Sequence, residues 1–430
     1  MRDVRLNPEE QAMLSGAEGP AVQRALEIVL ALGKIYGAEG LVPIESAQIS
    51  GVSYKNLGDA GLEFLRQWAA EGARVHVPAT LNPAGMDLSD WETLGFSKDF
   101  AEKQIAVIET FSTMGVRCTC TCTPYLVGNV PKPGAHVAWS ESSAVCFANS
   151  VLGARTNREG GPSALAAAIT GRTARYGYHL ERNRQADYVI EVDCAVESEA
   201  DFGALGYLVG RLVGAGVPYF RDLNVPDVSD LAGDPVRAID ALVAGEESGL
   251  DRLMALGAAM AASGAVALYH VEGVTPEAQP EIIRSDARVV RVSSLSEGYA
   301  ALNGPLDQID FVHIGCPHAT LATLHRIADS LTGQRVRATL WITTARETKE
   351  EAQQRGYVAT IENAGGKVVA DTCPIVAPVA ELGFQSLATN SAKTAFYAPS
   401  QLGLNVRFGP LERCIAAALT GQWRGTGRRP

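Results

Sequence analysis

Apolar residues recur at helical spacing through residues 22–36, 60–71 and 100–114, predicting three helices with one buried face each. Asn7-Pro8-Glu9-Glu10 predicts a helix start before them, because Asn can cap free N–H groups and Pro fits the first turn. Residues 41–51 are a short apolar, Gly-rich passage, and residues 74–78 (RVHVP) alternate as a strand does. Asn82-Pro83 and Gly85 predict a loop over 81–96. From about residue 187 the texture becomes strand, then helix, repeated. Strands are predicted at 188–194, 265–271, 289–292, 311–315, 337–343 and 367–371, and helices at 201–213, 318–331 and 349–355. Apolar strands alternating with amphipathic helices predict an α/β protein with largely parallel sheets. No internal repeat interrupts this pattern.

Composition narrows the function. The chain has 430 residues, 47% hydrophobic and 20% charged, which suits a globular protein of two or three domains. A net charge of -11 argues against nucleic acid or an anionic membrane as the main partner. MRDVRLNPEEQAML lacks the apolar stretch of a signal peptide, and no run reaches membrane-spanning length, so a cytoplasmic location is expected. Eight cysteines in a reducing compartment read as ligands or buried small residues rather than disulfides. The tail GQWRGTGRRP is basic, Gly-rich and expected to be loose.

Two of those cysteines share a context. Cys316 follows the strand predicted at 311–315 and precedes a predicted helix, and Cys373 follows the next strand but one. Open α/β sheets bind ligands beyond the carboxyl ends of their strands, so both thiols should face one crevice. A helix N-terminus favours the thiolate, and Pro317 and Pro374 stiffen the turns that aim the sulfurs. The alternative is two buried small side chains. Cys118, Cys120 and Cys122 alternate with threonines, so in an extended chain all three thiols share a face. That spacing does not suit a zinc ribbon, but it can supply one thiol to a site completed elsewhere. Cys146, Cys194 and Cys414 lie in apolar surroundings and read as core.

Polar segments without periodicity add candidates. Asn157-Arg158-Glu159-Gly160-Gly161 precedes a small-residue helix at 164–169 and could bind a carboxylate, or could be a plain cap and turn. Ser50-Gly51-Val52-Ser53-Tyr54-Lys55 is either a substrate loop or a turn, and Lys393 either holds a carboxylate or is solvated.

Five stretches carry a family resemblance: residues 49–65, 120–173, 314–318 (IGCPH), 370–374 (ADTCP) and 389–397 (TNSAKTAFY). They resemble aconitase X. The resemblance implies an aconitase-like core of three α/β domains, set here at residues 1–186, 187–290 and 291–430. It also implies an iron–sulfur cluster (2Fe-2S or 4Fe-4S) or mononuclear iron, with Cys122 (Cys120 second), Cys316 and Cys373 as ligands. Substrate contacts would come from Gly51, Val52, Ser53, Tyr54, Glu141, Ser142 and Lys393, beside Asn157 and Arg158, with Ser53, Glu141 and Lys393 catalytic. No segment matches the family's small swivelling domain, so a separate small subunit is expected.

The implied activity is dehydration of a small hydroxy acid. Cis-3-hydroxy-L-proline, giving Δ1-pyrroline-2-carboxylate, is the expected substrate, because the loops offer few cations for a phosphate: Lys55, Arg155, Arg158 and Lys393. Mevalonate 5-phosphate is the alternative. A non-catalytic iron–sulfur sensor and a metal-free scaffold subunit are readings of other classes.

Overall fold

The computed structural model describes residues 4–243 and 248–423; the basic tail from residue 424 lies outside them. Asn7 begins α1 (Pro8–Leu14) with a capping box, its side chain accepting from Glu10 N–H while the Glu10 carboxylate accepts from Asn7 N–H, both at 2.9 Å. Then come α2 (Pro20–Tyr36), β1 (Leu41–Pro43), β2 (Ala47–Ile49), α3 (Tyr54–Ala70), β3 (Ala79–Leu81) and α4 (Lys98–Thr113). β4 (Ala138–Trp139), α5 (Ser142–Ser150), α6 (Gly161–Thr170) and β5 (Arg172–Ala174) complete this part. β2 lies between β3 and β4, all parallel, and β1 pairs antiparallel with β5. Leu26, Ile49, Trp68 and Leu165 fill its core.

The expected strand at 74–78 is absent. Val75 N–H bonds Met114 O at 2.9 Å and His76 N–H bonds Ala168 O at 2.8 Å, so the alternating run is spent on tying two helix ends. The strand begins at Ala79 instead.

The middle part holds β6 (Ala186–Val192), α7 (Glu199–Val213), β7 (Pro218–Phe220), α8 (Pro235–Val243), α9 (Gly249–Ser263), β8 (His270–Val271) and β9 (Ile283–Val292). Its sheet is parallel, in the order β8-β7-β6-β9. Of the strand expected at 265–271 only the last two residues pair, because Ala265 has φ +63° and Tyr269 N–H bonds Ser150 Oγ at 2.9 Å. α7 and α9 pack closely through glycine: a Cβ on Gly206 would lie 2.5 Å from Leu256 O, and one on Gly210 3.0 Å from Met260 O.

The last part comprises α10 (Ser296–Ala301), β10 (Phe311–Ile314), α11 (Leu321–Leu331), β11 (Thr339–Thr344), α12 (Arg346–Gln354), α13 (Tyr357–Asn363) and β12 (Lys367–Ala370). β13 (Ser386–Thr389), α14 (Ala392–Leu402), β14 (Asn405–Phe408) and α15 (Leu411–Thr420) follow. Its five parallel strands run β12-β11-β10-β13-β14. The chain builds outward from β10 through β11 and β12, then returns to start β13 on the other flank. The order therefore reverses between β10 and β13, where sheets of this kind bind ligands beyond their carboxyl ends. One core runs from Trp139 and Phe147 through α7 and α9 to Phe311, Trp341 and Phe408, joining all three parts. Among the described residues no helix is long and apolar enough to cross a membrane.

Candidate active site

Cys316 lies just past β10, at the reversal point. Gly315 makes the turn possible, with φ +105° and a position where any Cβ would sit 2.1 Å from Thr343 O. The following helix starts later than expected, at Leu321, with Thr320 as its cap, so Cys316 is not at a helix N-terminus. Cys373 follows β12, and no α-helix follows it: residues 373–377 form a turn in which the N–H groups of Ile375 and Val376 face its sulfur. Local backbone N–H groups take the part expected of a helix dipole.

Cys122 completes the group, and the expected common face of the three alternating thiols does not form. Cys120 takes φ +44°, which breaks the extended chain. Cys120 turns into the core with Ile49 and Leu81, while half-buried Cys118 bonds Val116 O at 3.6 Å and Ile108 O at 3.7 Å. Of these three cysteines, Cys122 alone feels the charges of Glu141, Cys316, Cys373 and Lys393. Burial, with the neighbouring thiols, pushes Cys122 well above the ordinary thiol range and Cys373 up to about 12. Burial makes the thiolate forms of Cys122 and Cys373 costly unless a positive charge stands beside them. Among the described residues no set of three His, Cys, Asp or Glu is arranged to grip a single ion. Cys122, Cys316 and Cys373 are the side chains that could hold a thiolate-bound group. Cys146 and Cys414 are core residues, and Cys194 packs on the core's edge.

His318 links the three segments and went unnoticed in the sequence, although it closes the motif IGCPH. Its ring is buried between Thr121 and Thr372, with Nδ1 2.9 Å from Thr121 Oγ1 and Nε2 3.0 Å from Thr372 O. Its backbone N–H donates to Cys122 Sγ at 3.2 Å. Burial lowers the ring to about 4, so it is neutral near pH 7.

Lys393 is not solvated. It follows β13 in the first turn of α14, with its side chain 12% exposed, and bonds Glu141, Ser142 Oγ at 3.1 Å and Ser143 Oγ at 3.5 Å. Burial works against the ammonium, but Glu141 and the thiols of Cys316 and Cys122 hold it well above the usual lysine range. Glu141 caps α5, accepting from Ala144 N–H at 2.7 Å and Ser143 Oγ at 2.5 Å. Burial alone would raise its carboxyl, yet Lys393 and these donors bring it below the ordinary value. Gln48, fully buried on β2, orients the pair by accepting from Glu141 N–H at 2.9 Å and reaching Asn82 and Thr121 O.

The Gly51 loop clamps the Cys373 turn. Ser53 Oγ donates to Val376 O at 2.7 Å, and Lys55 Nζ donates to Ala377 O at 3.0 Å and Ile375 O at 3.3 Å. Val52 is buried, its carbonyl accepting from Gln104, while Gly51 is exposed with φ +75°. Tyr54 turns away to Asp59 at 2.8 Å. Behind the turn, buried Asp87 accepts from Ala370 N–H at 2.8 Å and pairs with Arg346 at 2.6 Å, and Arg346 also pairs with Asp371. Asn157 and Arg158 belong to other networks: Asn157 bonds Tyr176 O and Tyr178 N–H, and exposed Arg158 bonds Ala261 O. Arg155 pairs with Glu181 at 2.5 Å.

This arrangement can be set beside known proteins. Profiles for the first, second and third domains of aconitase X match residues 3–182, 186–295 and 309–420. The chain belongs to the aconitase X family. The phosphomevalonate dehydratase large subunit of Methanothermobacter thermautotrophicus is 50% identical over 405 residues, 94% of this chain and 96% of that protein. The cis-3-hydroxy-L-proline dehydratase of Pseudomonas aeruginosa is 36% identical, over 97% of this chain and 70% of that protein. The crystal structure of Thermococcus kodakaraensis aconitase X in its holo-form matches with a TM-score of 0.85 at 45% identity, over 96% of this chain and 100% of that one. As a member of this family the chain is a hydro-lyase, a dehydratase with the α/β fold expected from its sequence.

The preference for hydroxyproline is not better supported than its alternative, since the more similar of these two relatives is named for the phosphorylated substrate. A small number of loop cations does not argue against a phosphate. Backbone N–H groups and a second subunit can bind phosphate as well.

Proposed function

We propose that this chain is the large subunit of a mevalonate 5-phosphate dehydratase, with an iron–sulfur cluster on Cys122, Cys316 and Cys373. The convergence of these three thiols beside buried Lys393 carries the reading, and 50% identity to a phosphomevalonate dehydratase large subunit supports its substrate. When bound, a cluster with one iron lacking a protein thiolate supplies Lewis acidity toward a departing hydroxyl.

The chain's own residues do the rest. The substrate loses a proton from the carbon beside its carboxylate and the hydroxyl from the next carbon, leaving an unsaturated acid and water. Negative charge grows toward the carboxylate as the proton leaves, and a buried ammonium at Lys393 stabilises it strongly where water is excluded. Glu141 keeps that ammonium charged and aimed, because its oxygens already accept from Lys393, Ser142, Ser143 and Ala144. Ser53 and Lys55 hold the Cys373 turn against the first part of the chain. A separate small subunit, implied by the relatives' name, completes the site.

The test is anaerobic purification with that subunit, iron and sulfide loading, and assay of both substrates. Turnover of mevalonate 5-phosphate is expected. Turnover of cis-3-hydroxy-L-proline alone would overturn the substrate, and an active enzyme without iron would overturn the cluster.

A further inference from the structure

We infer that His318 is a positioning residue that keeps the three thiol-bearing segments in mutual register, its ring donating from Nε2 to Thr372 and meeting Thr121 at Nδ1. The inference rests on the reading of Cys122, Cys316 and Cys373 as ligands, and goes beyond it by naming what sets their spacing. The three cysteines come from separate loops, and a multi-thiolate site needs its sulfurs held to within about 0.5 Å. His318 is two residues from Cys316, and its ring partners are the immediate neighbours of the other two ligands: Thr121 precedes Cys122, and Thr372 precedes Cys373.

The tautomer follows from the partners. A carbonyl oxygen carries no proton, so the ring donates from Nε2 to Thr372 O at 3.0 Å. Nδ1 then has only a lone pair, and the Thr121 hydroxyl donates to it at 2.9 Å. Thr121 Oγ1 in turn accepts from Thr123 N–H at 3.2 Å and lies 3.0 Å from Thr123 Oγ1, so the chain of bonds reaches past Cys122. The ring is fully buried, and water cannot replace a lost partner. With the N–H of the same residue on Cys122 Sγ, one residue ties all three segments.

The two ring bonds can be removed separately. Gln in place of His318 sets an amide N–H near Nε2 and loses the bond to Thr121. Asn sets an amide oxygen near Nδ1 and loses the bond to Thr372. Full-length protein would be followed by peptide-resolved hydrogen exchange in its metal-free form. After anaerobic reconstitution with ferrous iron and sulfide, iron loss to a chelator and the visible spectrum would be followed as well. His318→Gln should speed exchange over residues 119–123 and His318→Asn over 371–376, each with about 10-fold faster iron loss, in the range of partners that support metal ligands. Thr121→Val removes the same ring bond together with the two contacts of its hydroxyl to Thr123, so its effects should be at least those of the Gln variant, and His318→Gln added to Thr121→Val should change nothing further. His318→Phe should loosen both segments.

Equal exchange in parent and variants, or additive effects of Thr121→Val and His318→Gln, would overturn the inference. If the Phe variant does not fold, the opposite selectivity of Gln and Asn decides alone. A parent chain that takes up no iron overturns the ligand reading, while exchange still decides the role of His318.

Discussion

Lys393 is an ammonium in a space that burial would otherwise make hostile to it, and its charge depends on Glu141. Removing one member of such a pair strands the other. Lys393→Met should lower unfolding free energy by about 3–5 kcal/mol and dehydration by at least roughly 100-fold. Adding Glu141→Gln should recover most of the stability and none of the activity. Denaturant titration and a rate assay check both, and a single variant as stable as the parent refutes the pair. The cysteines allow a second test: Cys122→Ala, Cys316→Ala and Cys373→Ala should each abolish bound iron, whereas Cys120→Ala and Cys414→Ala should retain it. Iron in the Cys373→Ala protein, measured after desalting, would refute the assignment. At this scale the sequence was legible where chemistry repeats, as in two Cys-Pro turns at strand ends. It was not legible at Cys120, whose left-handed φ no alternation reveals, nor at Lys393, whose burial depends on an acid 252 positions away.

Among the elements expected from residue 187 onward, strands such as β10 and helices such as α11 were readable because each buries an apolar face against a neighbouring layer, and periodicity records that burial. Residues 74–78 show the limit. Alternation marks which side chains go inward, but a strand also needs a backbone partner, and Val75 and His76 found theirs at helix ends. The closeness of α7 and α9 was hidden too, since Gly206 and Gly210 look like helix-weakening residues until the second helix is set against them. Gly206→Ala should cost about 1–3 kcal/mol, from overpacking against Leu256 O. Gly233→Ala, with open space around its Cβ, should cost nothing measurable. Urea midpoints compare the two, and equal values would remove the close-packing account.

Across the whole molecule, His179, His270 and His313 are buried with one ring nitrogen unpartnered, and burial lowers them to about 3, 4 and 3. In the unfolded chain the same rings titrate near 6.5. Folded values below unfolded ones mean that the unfolded state takes up protons first as pH falls. Stability is then fully present above about pH 6.5 and lost below it, by at most about 1.4 kcal/mol per pH unit per ring. Between roughly pH 6 and 4 the three together should remove about 4 kcal/mol per unit. Unfolding midpoints at pH 7, 6 and 5 test this, and a flat profile would contradict it.

The span between Cys122 and His318 has a consequence for biosynthesis. They touch in the folded chain but lie 196 positions apart. A ribosome adding about 5–20 residues per second needs roughly 10–40 s to cover that stretch. During that interval Cys122 exists without Cys316 or Cys373, so the three proposed ligands are not yet together. On the proposed ligand set, the group cannot be completed before Cys373 has been made, late in synthesis. Cells short of iron should accumulate full-length, folded, empty protein rather than stalled fragments.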